Sequence, residues 1–153
     1  MKHNTKKFVL QELADYRESC AENVRIHERI NNLKCSGNAD VTNRELKILF
    51  LRQAYLERVI AAIDNLRENL NEDLSQLFNA KFLTRPSMQD KKIIAQLNVS
   101  RAKFYKDIDL ICQMLADRLG LSYLDAVLPL HAVSLLHAVS LLHAVLPLHA
   151  NSR

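Results

Sequence analysis

Chain breakers are nearly missing from this sequence. It has two glycines, Gly37 and Gly120, and three prolines, Pro86, Pro129 and Pro147, in 153 residues. A β-architecture reverses its chain every few residues and draws on Gly, Pro and Asn for the dihedrals its turns need. So few breakers exclude a sandwich, a barrel or a doubly wound sheet and leave long helices. With 48% hydrophobic and 25% charged residues, the chain can bury a core and is neither disordered throughout nor a polytopic membrane protein. The expected fold class is all-α. It comprises an N-terminal helical hairpin over residues 1–70, a C-terminal helix-turn-helix domain over residues 71–121, and a repetitive apolar tail over residues 122–153 that is not expected to form a domain.

Apolar spacing predicts a first helix from Thr5 to Leu33, with Val9, Leu13, Tyr16, Cys20 and Val24 as one stripe, continued on a rotated face by Ile26, Ile30 and Leu33. The turn residues Cys35 to Asp40 end it. Thr42 with Glu45 three residues on reads as a capping box opening a second helix. In that helix Leu49, Leu56, Val59, Ile63, Leu66 and Leu70 keep heptad spacing, with one apolar position missing near Arg52. Such a seam suits either a hairpin within the chain or a homodimer. Asn71 is the expected cap of a third helix spanning Glu72 to Leu83, which Thr84-Arg85-Pro86 breaks.

Charge is unevenly distributed. The chain carries +4 in total, but the window from Lys81 to Lys106 carries +6 and leaves −2 for everything else. A concentrated cationic segment is the footprint of a polyanion binder. Within it, Ser87 is expected to cap a helix of about ten residues ending at Leu97. Asn98 supplies a left-handed reversal, Val99 plugs the angle between the helices, and Ser100 caps the next helix through the amide of Lys103. Ile94 is expected to lie closest to that second helix. Phe104, Ile108, Ile111, Leu115 and Leu119 then form its apolar stripe, ended by Gly120. The elbow is a helix-turn-helix, in which the start of the second helix enters the major groove of double-stranded DNA. Arg101, Ala102, Lys103, Tyr105 and Lys106 are the candidates for base edges. Lys81, Arg85, Ser87, Lys91, Lys92 and Ser100 are the candidates for phosphates, which set register without reading sequence.

The run from Lys92 to Asp107, followed by a long helix to Leu119-Gly120-Leu121, resembles the C-terminal segment of phage late-gene transcriptional regulators of the ArpU and RinA type, and through them region 4 of sigma factors. In layout the resemblance covers residues 5–121, and its motif lies in residues 87–121. It implies a phage or prophage activator that binds promoter DNA, with RNA polymerase as a further partner. The alternative from another class is a sigma-like helical adaptor that grips polymerase and has little DNA affinity of its own.

Other chemistries find no support. Without a Gly-rich loop, an HExxH pair or a Ser–His–Asp grouping, no enzyme activity, cofactor or metal is expected. Cys20, Cys35 and Cys112 are too widely spaced for a zinc knuckle or a disulfide framework, and no apolar leader follows Met1. A reducing, cytoplasmic setting is expected. Residues 125–150 repeat every six residues, with His131, His137, His143 and His149 in register. Six residues advance a helix by about 600°, so successive imidazoles of the repeat do not share a helical face. The stretch from Ala126 to Ser152 carries no formal charge, but its four histidines and two prolines argue against a membrane span. It reads as a translated tandem repeat appended to a finished domain.

Overall fold

The structure, a computed structural model, describes residues 1–35, 39–84 and 88–121, and the side chains of α2 from residue 43 onward. Every regular element among them is helical: α1 (His3–Cys35), α2 (Ala39–Glu68), α3 (Glu72–Phe78), a π-helical turn (Asn79–Leu83), α4 (Asp90–Gln96) and α5 (Arg101–Arg118). No helix among the described residues is long and apolar enough to cross a membrane. The expected cap Ser87, together with Arg85 and the repeat after Leu121, lies outside the described residues.

α1 and α2 pack along each other in opposite directions, as the pairs Glu12–Tyr55, Glu22–Arg52 and Arg29–Glu45 require. The heptad positions Leu56, Val59, Ile63 and Leu66 are each at most 2% exposed within the single chain. The seam of α2 is therefore filled from inside its own fold. The missing apolar position is occupied by Arg52, which makes a bidentate pair with Glu22 at 2.7 and 2.8 Å and lies over the Tyr55 ring.

The stripe expected on α1 needs correction. Val24 is 59% exposed and Cys20 only half-buried, whereas Glu12 and Ser19 are buried. The inward face follows a seven-residue repeat, with Val9, Tyr16, Asn23 and Ile30 on one row and Glu12, Ser19, Ile26 and Leu33 on the other. Three polar residues interrupt it, so apolar spacing alone drifts onto Val24. Glu12 and the neighbouring Tyr16 are held by partners on α2, whereas the buried Asn23 Oδ1 has no hydrogen-bond partner among the described residues. Tyr55 donates to Glu12 at 2.7 Å, Tyr16 donates to Asp64, and Arg67 donates to the Tyr16 oxygen at 3.2 Å. Polar groups in a seam tie it to one register, since a slip leaves them unpaired.

Burial pushes the Tyr16 phenol up to about 12, and its hydrogen bond to Asp64 adds to the shift. Burial and Glu12 raise Tyr55 as well. Unfolded phenols titrate near 10. The stability Tyr16 lends is complete below pH about 10 and is lost as pH climbs toward about 12, and that of Tyr55 is lost over a still higher range. Denaturant midpoints followed from pH 9 to about 12 should fall steeply in the parent and less steeply in Tyr16→Phe; equal slopes would count against the Tyr16–Asp64 bond.

Thr42 does not open α2. The helix begins three residues earlier, at Ala39, so the expected capping box lies inside it. Asn71 caps α3 as expected, its side chain accepting from the Leu74 amide at 3.0 Å. The third helix does not stay α-helical to Leu83. From Asn79 it widens into a π turn, closed by the Thr84 amide and hydroxyl, which both donate to the Asn79 carbonyl at 3.0 Å.

One hydrophobic core joins all of these elements. It includes Val9 and Leu13 of α1, Ile63 and Leu66 of α2, Phe78 and Phe82 after them, Ile93 of α4, and Phe104, Ile111 and Leu115 of α5. This core includes residues from both sides of the expected boundary near residue 70. Cys112 sits in the core, where burial pushes its thiol up to about 11.

Candidate nucleic-acid interface

The elbow between α4 and α5 is built from local backbone chemistry. Leu97 is the C-cap of α4, and Asn98 takes the left-handed conformation at φ 50°. The Asn98 amide donates to the Ala95 carbonyl at 3.3 Å and the Val99 amide to the Ile94 carbonyl at 3.2 Å. This crossed pair is a Schellman closure, and Val99 and Ile94 both pack on the core as that closure favours. Ser100 caps α5 as expected, its hydroxyl oxygen accepting from the Lys103 amide at 3.1 Å. Its own proton has no acceptor among the described residues.

Two local expectations shift. α4 is shorter than ten residues: it starts at Asp90, and Gln89, with no side-chain cap bond, stands at its N-cap. Ile93, fully buried, is the residue of α4 that anchors it to the core, while Ile94 is half-buried and Ala95 exposed. In a helix this short, one residue meets the core squarely.

The first two turns of α5 present the five candidates for base edges at the surface. Arg101, Ala102, Lys103, Tyr105 and Lys106 are all exposed. Their i,i+4 pairings sort them into three strips. Ala102 and Lys106 form the outward strip. Arg101 and Tyr105 flank it toward α4, with the guanidinium 5.7 Å from the ring centre. Lys103 flanks it toward α3, where its ammonium binds Asp107 at 2.8 Å and reaches Asp73 at 3.4 Å. The hydrogen bond to Asp107 holds the Lys103 pKa above its ordinary value. Beyond the second turn the charge reverses, with Asp107 in that pair and Asp109 bound to Lys6 of α1.

Asp90, the one carboxylate of the basic window, sits between two of the candidates. Lys81 of the π turn binds one of its oxygens, and the Tyr105 hydroxyl donates to the other at 3.3 Å. Lys81 and Lys103 are therefore engaged with carboxylates. Lys91 and Lys92 stand exposed on α4, and neither they nor Arg101 and Lys106 form an ion pair among the described residues. Among the described residues the cationic candidates thus fall into four without an ion pair and two braces. The role of Asp90 escaped the sequence reading, although its position as the lone acid in a +6 window was a usable signal.

Among the described residues no group of His, Cys, Asp and Glu side chains could hold a metal ion. No family model, curated protein or solved structure matches the chain.

Proposed function

We propose that this chain is a sequence-specific DNA-binding transcriptional regulator, with α4, the Asn98 turn and α5 acting as a helix-turn-helix. The observation that carries the reading is the outward display of Arg101, Ala102 and Lys106 on the first two turns of α5, behind a closed turn that fixes their direction. Arg101 and Lys106 can donate to guanine O6 and N7, and the Ala102 methyl can meet a thymine methyl. Lys91, Lys92 and the Ser100 hydroxyl serve phosphates. Tyr105, Lys81 and Lys103 hold the elbow together; Lys81 and Lys103 reach DNA only by leaving Asp90 or Asp107. The motif's likeness to phage late-gene activators suggests promoter DNA as the target and RNA polymerase as the contacted machine.

Selection of bound sequences from random DNA tests the reading directly, and an enriched motif is expected. On the enriched site, Arg101→Ala should cost about 1–3 kcal/mol and relax the preference at one or two positions. Lys92→Ala should weaken all sequences alike and reduce the salt slope by about 1. Equal losses on selected and random DNA for Arg101→Ala would remove its reading role. The engagement of Lys81 and Lys103 with carboxylates favours a second reading, the sigma-like adaptor. That reading predicts no enriched motif with the chain alone and a motif that emerges only when polymerase is added.

A further inference from the structure

We propose that the uncharged hexapeptide segment, residues 126–152, covers the outward face of α2 around Ile48 and Leu51 in its own chain. Two of the large apolar side chains that stand exposed among the described residues, Ile48 at 52% and Leu51 at 67%, lie three apart on this face; Phe50, 45% exposed, points about 200° around the helix from Ile48. Phe50 is partly engaged by the Lys34 ammonium over its ring. Leu51 and Ile48 have no such cover.

The place where the chain leaves α5 selects the occupant. Arg58 donates to the Leu119 carbonyl at 2.9 Å. Gly120 follows at φ +74°, and a Cβ there would lie 3.9 Å from the same guanidinium. Arg58 is seven residues after Leu51, so the two share one strip of α2, about 10 Å apart along the axis. Exposed Ala54 lies between them. On the other side, Arg118 donates to Asn65, seven residues after Arg58, at 2.9 Å. The end of α5 thus occupies the strip from Arg58 to Asn65, and the chain departs beside the part that is still open.

Composition and reach agree with this placement. No Asp, Glu, Lys or Arg occurs from Ala126 to Ser152, and the repeated Leu, Val and Ala offer an apolar surface of the kind the strip needs. Nine residues of helix cover about 14 Å, and 32 residues follow Leu121, so length does not limit the contact. The inference does not depend on what the α5 surface binds.

The test is photo-crosslinking in the full chain with a benzoyl-phenylalanine at position 51, mixing isotopically light and heavy copies, followed by peptide mapping. Position 51 is exposed, so the probe leaves the core untouched. Cross-links to peptides from residues 122–152 of the same copy are expected, together with their loss when Ile48→Asp is added. The same probe at Val24, exposed on α1, should give no such peptides. Cross-links that join light and heavy copies would overturn the proposal in favour of a second chain on this face. Cross-links to neither, or equal yields from positions 24 and 51, would overturn it outright.

Discussion

Phe104→Ala should destabilise the protein by about 3–5 kcal/mol, the range seen when a large buried aromatic is truncated. Phe104 is 1% exposed and belongs to the core that unites all the helices. It also sits in the first turns of α5, edge-on to the Tyr105 ring at 5.1 Å between centres. Tyr105 in turn reaches Asp90, so the cavity would open beneath the elbow itself. Domains of this size hold on the order of 5–15 kcal/mol in total, so the loss removes a large part of the margin. Urea unfolding monitored by circular dichroism would show a lower midpoint with an unchanged slope. Phe104→Leu, which keeps most of the volume, should lose much less. A loss below about 1 kcal/mol for the alanine would show that this ring is not the packed anchor described above.

If the proposed function holds, removing the four cations without an ion pair together should abolish DNA binding while sparing the fold. Lys91→Ala, Lys92→Ala, Arg101→Ala and Lys106→Ala all fall on exposed side chains without ion-pair partners among the described residues. Exposed substitutions of this kind shift stability by about half a kcal/mol or less each. If each cation displaces about 0.9 counterion from the duplex, losing four weakens binding on the order of a thousandfold near physiological salt. Fluorescence anisotropy across a salt series checks both the affinity and its slope. Binding retained within about tenfold would place the DNA surface elsewhere on the molecule. The unfolding midpoint, measured alongside, separates a lost surface from a lost fold.

The elements that were legible in the sequence are those fixed by nearby residues. The α5 stripe from Phe104 to Leu119 obeys 4-3-4-4 spacing, and all five members are buried. Asn98, Ser100 and Asn71 occupy the backbone roles their side chains suit, because caps and left-handed turns are settled within four residues. What escaped depends on distant partners. The inward row of α1 passes through Glu12, Ser19 and Asn23, which read as surface until α2 brings Tyr55 opposite Glu12. The early start of α2 at Ala39 and the widening at Asn79 lack any local signature as strong as the capping box that misled at Thr42. In the candidate interface, exposure followed from helix periodicity, but the engagement of Lys103 with Asp73 links residues 30 apart, and that of Lys81 with Asp90 crosses a proline-broken segment. Charge counting alone had treated both lysines as free.

The shared core carries a practical consequence for anyone wishing to borrow the α4–α5 elbow. Leu115 and Ile111 of α5 are completely enclosed with Val9, Leu13 and Ile63 from the first half of the chain, and Lys6 reaches across to Asp109. A fragment cut at residue 71 would expose that apolar keel to water and forfeit its shape. The elbow is therefore not a transplantable cassette: moving its surface onto another scaffold means carrying the long rods along with it.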